Sequence, residues 1–389
     1  TYVIHTFRMP VFYLLAGFFG HMAFHKKGTR AFVADRAKRI GVPLLAGWVI
    51  LVPLTVAITV WGLTRTFGAE ALAGAAPTGF ALPLAHLWFL YYLCIFYGLM
   101  LAARGAFETI DRSRRLRATI DAVLRRVLGT YLAPILLAAP LALYLYFDET
   151  WIFTGGVPTP DTGLTPKVPA MIGFGTAFLF GWLLHRQVDL LREWERRWPV
   201  HLAAACVLTF TCLQIMSSVP SGAPSLAPGP ELFVVPGPPW MRIAYTAAYT
   251  TAIWCWSLGL IGAALRFFAR ASVVRRYVAD SSYWIYLVHL PLVFFLAVVF
   301  AKVPWHWSVK YPLVVAIAFT VLFASYHYLV RSTFIGAGLN GRKYRRASLK
   351  ATFGAEVNLP SISPSDSVET GSEDSHLPVL EGAAQRSDE

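Results

Sequence analysis

The chain has 389 residues, of which 56% are hydrophobic and 14% charged, with a mean hydropathy of +0.54. Soluble globular chains carry about 25% charged residues; here the charges stand in short blocks between long apolar runs, which excludes an ordinary soluble domain and predicts a polytopic membrane protein. The net charge of +13 does not point to nucleic acid, because the basic residues sit at the ends of apolar runs, where membrane topology accounts for them.

Nine apolar spans follow in chain order, at 7–24, 40–63, 81–103, 127–147, 169–185, 199–217, 241–267, 282–301 and 311–330. A bilayer crossing needs roughly 20 apolar residues, so 7–24 and 169–185 are short, and Pro134 and Pro140 interrupt 127–147. Backbone polar groups must be satisfied internally in lipid, so runs of this length are helices. The expected fold class is all-α: a polytopic membrane helix bundle over residues 1–345. The acidic, Ser- and Pro-rich remainder, 346–389, is expected to be a disordered tail.

The first span opens on His5, Arg8 and Pro10. Arginine at a helix centre costs about 2.5–3.5 kcal/mol on insertion scales, but at a helix end the side chain snorkels to the interface. Pro10 suits a first helical turn. By itself this stretch reads as an interfacial anchor and a helix start.

The next segment holds Lys26, Lys27, Arg30, Arg36, Lys38 and Arg39. Arg36 and Arg39, at i and i+3, share one helical face. Guanidinium groups make bidentate contacts to phosphate that lysine does not. The pair reads either as a phosphate grip for a nucleotide-bearing donor or as ordinary membrane anchoring.

The third span contains "AHLWFLYYL", with His86 near its outer end. A histidine in an apolar span is costly unless partnered, and it is the natural proton carrier near neutral pH. After it, 104–126 is rich in arginine. It reads either as an interfacial helix facing anionic lipid or as a solvated loop. Further on, "DSSYWIYLVHLPLVF" sets Tyr283, Tyr286 and His289 on one helical stripe, followed by Pro291. Proline loosens the local backbone hydrogen bonding, so a polar cavity or a helix–helix contact is expected there. Asp280 and Ser281 look like N-cap residues. His201, His306 and His327 read as isolated packing residues.

The cysteines, Cys94, Cys206, Cys212 and Cys255, lie in apolar runs without C-x-x-C spacing and read as buried small residues. No phosphate loop, nucleophile elbow or zinc spacing occurs, so no metal site and no ATP role is expected.

Lysine and arginine concentrate in 25–39, 104–126, 185–198, 266–276 and 331–350, while the intervening loops are nearly free of positive charge. The positive-inside rule then puts these five segments and the C-terminus in the cytoplasm. Nine spans with the N-terminus outside, and no initiator Met, predict a tenth helix ahead of Thr1.

"FRMPVFYLLAGFF", "RAKRIGVPLL", "HLWFLYYL" and "SSYWIYLVHLPLV" occur in that order. This arrangement resembles the acyltransferase-3 family of membrane acyltransferases, and within it the glucan-succinylating branch. The resemblance implies ten helices in a bacterial inner membrane. It implies transfer of an acetyl or succinyl group from cytoplasmic acyl-CoA, a co-substrate and not a resident cofactor, to a hydroxyl of an extracytoplasmic glycan. By position, Arg36 and Arg39 match the family's R-x-x-R motif on the acyl-donor side. Arg8 matches its pre-helix arginine, and His289 its late-helix histidine. The family's principal catalytic histidine belongs to the helix expected before Thr1. The expected catalytic set in this chain is His289, His86 and Arg8, with Arg36 and Arg39 binding the donor. The expected partners are the lipid bilayer, acyl-CoA and the glycan. A transporter or flippase without acyl chemistry, or an inactive fragment, stands as the alternative.

Overall fold

A computed structural model describes residues 2–68, 83–111, 115–152, 156–159, 163–218, 238–341 and 344. The tail at 346–389, most of the loop at 218–240 and the beginning of the third apolar span lie outside the described residues.

Helices dominate the described residues: α1 (Tyr2–Lys27), α2 (Thr29–Arg36), α3 (Val42–Phe67), α4 (Trp88–Ile110), α5 (Arg115–Leu128), α6 (Ala133–Phe147), α7 (Val168–Leu184), α8 (Leu190–Ser217), α9 (Pro239–Phe267), α10 (Val273–Phe300), α11 (Trp307–Ser325) and α12 (Phe334–Asn340). A π-helical turn, Ala37–Gly41, joins α2 to α3, and a second, Tyr326–Val330, extends α11. Among the described residues seven helical stretches are long and apolar enough to cross a membrane, or eight if the bent pair α5–α6 counts as one. The described parts of the nine apolar runs fall largely on helices, but the expected count of nine crossings is not reached, and α7, the run expected at 169–185, has only 17 residues. The outward faces are apolar: on α3, Leu45, Val49 and Ile50 are each 64% exposed. A surface of that kind suits contact with hydrocarbon and not water.

Two boundaries differ from the sequence reading. α1 begins at Tyr2, so residues 2–6 are helical, Arg8 stands in the second turn and Pro10 is inside the helix and buried. α10 begins at Val273 with Ser272 as its N-cap, accepting from the Arg275 N–H. Asp280 and Ser281 are therefore interior residues of the helix and not caps. The apolar pattern that located these helices cannot mark their ends, because the polar first turns continue the same backbone ladder.

α9 is the hub: it packs against α8, α6 and α1, while α1 packs along α7 and α3 along α10. The α1–α7 seam is made by two glycines. A Cβ added at Gly17 would meet the Phe178 carbonyl, and one at Gly181 the Leu14 carbonyl. Small residues let helix backbones approach closely in membranes, where lipid supplies no hydrophobic drive between helices. Beside this seam Tyr13, fully buried, stacks on Phe174 at 5.1 Å and meets Phe96 edge-on at 5.3 Å.

The basic segments meet at one end of the bundle. Arg104 lies over the Phe24 ring at 4.5 Å, Arg186 pairs with Asp121, Arg266 approaches Glu195 at 3.8 Å, and Gly341 packs against the Arg39 guanidinium. That grouping agrees with the alternation of charge along the chain.

Candidate active site

His86 is built into position by a tight turn. Ala85 has φ 45°, in the left-handed region, and opens a short 3-10 turn, Ala85–Leu87, that feeds α4. A non-glycine residue there is uncommon, and such backbone outliers gather at functional sites. The turn presents His86 sideways to α10.

On α10, Pro291 has no N–H, so the Leu287 carbonyl four residues earlier loses its helical donor. His86 Nε2 fills that position at 2.8 Å. A carbonyl only accepts, so Nε2 carries the hydrogen. In the neutral ring Nδ1 is then the bare nitrogen. It is buried and has no hydrogen-bond partner. The Tyr286 hydroxyl donates back to the His86 carbonyl at 2.6 Å, so the two elements hold each other twice.

His289 obeys the same logic. Its Nδ1 bonds the Tyr286 carbonyl at 2.7 Å, which leaves Nε2 with the lone pair. The His86 and His289 rings stand 5.4 Å apart and nearly perpendicular. Arg8 is exposed on α1 and makes no hydrogen bond or ion pair among the described residues, and its charge reaches His289. The structure thus brings His86 and His289 together, although they are 203 residues apart in sequence; Arg8 touches neither ring. His289 lies 16 residues into α10, or about 24 Å along its axis from Val273.

The arginine pair forms a second cluster, at the basic end. Arg36 Nη2 bonds Asp35 Oδ2 at 3.0 Å, and Arg39 Nε reaches Asp35 Oδ1 at 3.1 Å. Lys27 Nζ joins the same carboxylate at 2.6 Å. Three cations thus share one anion, an excess that suits a further anionic group. Arg36 also lies over Phe32 at 5.2 Å and Tyr97 at 5.5 Å, and its Nε is buried without a partner. Arg39 stands in the π-helical turn, a feature frequent at functional sites. Pro43 takes the helical N–H from the Arg39 carbonyl, as Pro291 does for Leu287, and the Tyr283 hydroxyl replaces it at 2.5 Å.

One stripe of α10 therefore serves both clusters. Tyr283 holds the Arg39 carbonyl, Tyr286 holds the His86 carbonyl, and His289 faces His86. The stripe was legible at i and i+3. Its partners were not.

Sequence reasoning also missed Asp35 and a histidine chain. His25 Nε2 meets His21 Nε2 at 3.2 Å, and His21 Nδ1 meets His185 Nδ1 at 2.9 Å. His21 is buried against Trp182, with Arg104 and Arg186 near. The i, i+4 spacing of His21 and His25 was a signal, and His185 had none. Nor is His327 isolated: its Nδ1 meets the Tyr277 hydroxyl at 3.4 Å. His306 caps α11 through Ser308, and His201 is buried near Tyr131.

A family model for an acyltransferase domain, the acyltransferase-3 family, matches residues 1–327. The chain belongs to that family. A 94-residue stretch is 31% identical to glucans biosynthesis protein C of Shigella dysenteriae serotype 1 (strain Sd197), covering 24% of this chain and 24% of that protein. The matched part thus spans about a quarter of the relative's length. No solved structure matches the chain. The family is one of membrane acyltransferases, and the described residues of this chain form a bundle of helices apolar and long enough to cross a membrane.

Proposed function

We propose that the protein moves an acetyl or succinyl group from acyl-CoA on the cytoplasmic side to a hydroxyl of a glycan on the other side of a bacterial inner membrane. The observation that carries this reading is the α10 stripe, which joins the arginine cluster at one end to His86 and His289 toward the other. The C-terminus is cytoplasmic in this reading, with all the basic segments.

Arg36 and Arg39 hold the CoA phosphates, using the charge that Asp35 leaves uncompensated. The pantetheine arm runs along Tyr283 and Tyr286 toward the histidines. The acceptor hydroxyl enters beside Arg8. His86 Nδ1 takes its proton, and the hydroxyl oxygen attacks the thioester carbonyl carbon. The C–O bond forms and the C–S bond breaks. The proton on His86 passes to the departing thiolate, so free CoA leaves as the thiol. Arg8 stabilises the oxyanion, and general-base assistance contributes on the order of 10²–10⁴ in rate. Glucans biosynthesis protein C, the relative found over a short stretch, supports a glucan as acceptor by its name.

The test supplies labelled acetyl-CoA and succinyl-CoA to membranes carrying the full-length protein. An acylated glycan formed by the parent and not by an Arg36→Ala/Arg39→Ala variant is expected. Equal acylation by both sinks the donor assignment, and no acylation by the parent with either donor sinks the reaction.

A further inference from the structure

The arginine-rich segment after α4 has no part in that chemistry, yet several side-chain bonds tie it to the rest of the bundle. The buried Asp111 carboxylate caps α5, accepting from the Leu116 N–H at 3.2 Å and the Arg117 N–H at 2.9 Å. Midway, Asp121 pairs with Arg186, and Gln187 Nε2 donates to the Asp121 carbonyl at 2.7 Å. Just beyond its end, Arg197 Nη1 donates to the Gly129 carbonyl at 2.7 Å. Both acidic groups are thus engaged by the protein.

The outward face is different. α5 turns through 107° relative to α6, so it lies across the end of a membrane segment and not along it. Arg115, Arg125 and Arg126 are exposed, and their side chains have no hydrogen-bond or ion-pair partner among the described residues. Arg125 and Arg126 line a groove with Ala118, Ala122 and Asp121, whose carboxylate is already paired with Arg186. Along one edge, seven residues apart, Leu116 and Val123 are 43% and 55% exposed. A helix pinned in this attitude, with an apolar edge beside a cationic one, matches an interfacial helix at the boundary of acyl chains and headgroups.

We infer that α5 is a docking surface for acidic phospholipids of the bilayer, with headgroup phosphates on Arg115, Arg125 and Arg126 and acyl chains against Leu116 and Val123. Charge complementarity favours an anionic headgroup over a zwitterionic one. The apolar edge favours a lipid over a free anion, which would gain nothing from Leu116 or Val123.

The full chain, purified in detergent, is titrated with phosphatidylglycerol or phosphatidylcholine, and bound lipid is counted by native mass spectrometry. Selective retention of phosphatidylglycerol is expected. An Arg115→Gln/Arg125→Gln/Arg126→Gln variant weakens that retention by a factor on the order of ten to a hundred. A Lys302→Gln/Lys310→Gln variant, altered away from α5, leaves it unchanged. Equal binding of the two lipids, or a triple variant that binds phosphatidylglycerol as the parent does, overturns the inference. A tenfold excess of inorganic phosphate leaves the lipid bound, and full competition by phosphate overturns it. If the triple variant does not fold, Arg126→Gln alone takes its place: a several-fold loss supports the assignment and an unchanged affinity refutes it.

Discussion

His86 Nε2 donates to the Leu287 carbonyl at 2.8 Å, the carbonyl that Pro291 leaves without a helical donor. The bond fixes the tautomer of His86 and anchors the turn before α4 to α10. Its consequences for the protein can be measured.

Replacing Pro291 with Ala returns an N–H to the Leu287 carbonyl and puts it in competition with His86. The variant gains about 1 kcal/mol of stability from the restored hydrogen bond, while acyl transfer falls about tenfold or more as the imidazole loses its orientation. Thermal unfolding in detergent and a labelled-acyl assay read the two effects. A gain in both quantities contradicts the positioning role of the proline.

His86→Ala removes both the donor to Leu287 and the bare Nδ1. Acyl transfer should fall by roughly 10²–10⁴. His86→Asn can still donate to a carbonyl but offers no basic nitrogen, so it should restore the unfolding temperature and not the rate. Equal recovery of both would make the residue purely structural.

Arg36→Lys and Arg39→Lys keep the charge and lose the planar fork. The KM for acyl-CoA should rise about tenfold in each, with a smaller change in kcat. Arg36→Lys should suffer more, because Arg36 also rests on Phe32 and Tyr97. Initial rates across acyl-CoA concentrations give the split.

At the α1–α7 seam, Gly17→Ala and Gly181→Ala each force a methyl group against a backbone carbonyl of the facing helix. Overpacking of this kind costs about 1–3 kcal/mol, and rigid backbone cannot yield as a side chain would. Both variants should unfold earlier on heating, whereas Gly98→Ala, with open space around it, should not.

His185, just past the end of α7, is held below its ordinary value of 6.5 by burial first and then by the charge of His25. Its bond to His21 joins two Nδ1 atoms, so one of them must be a bare acceptor, and protonating it breaks the contact. Because the folded value is depressed, the unfolded chain binds more protons in the interval below pH 6.5. Stability is therefore full above that pH and is lost as pH falls through it. His185→Gln should flatten the fall in unfolding temperature between about pH 7 and 5. An unchanged slope would remove His185 from the effect.

The helices themselves were legible in the chain, because burial in lipid demands long apolar runs and internally paired backbone. The stripe of Tyr283, Tyr286 and His289 was legible for a similar reason: side chains three residues apart share a helical face. The ends of the helices were not. Arg8 and Pro10 read as a start, and Asp280 and Ser281 as a cap, since residues that favour first turns also occur inside a helix when tertiary contacts hold them. The arginine segment left helix and loop open; over Arg115–Leu128 it is a helix, capped by Asp111 and tied to Gln187 through the Asp121 carbonyl.

Local physics in the sequence thus determined that this is a helical membrane bundle, which residues are costly in lipid, and where prolines stand within its helices. Tertiary structure alone decided what those prolines are for. The carbonyls freed by Pro43 and Pro291 take their donors from Tyr283 and His86, 244 and 201 residues away. Asp35 gathers Lys27 from eight residues earlier, and His21 finds His185 across 164. A hydrogen bond needs its partner within about 3 Å, and only the packing of the helices sets which partner that is.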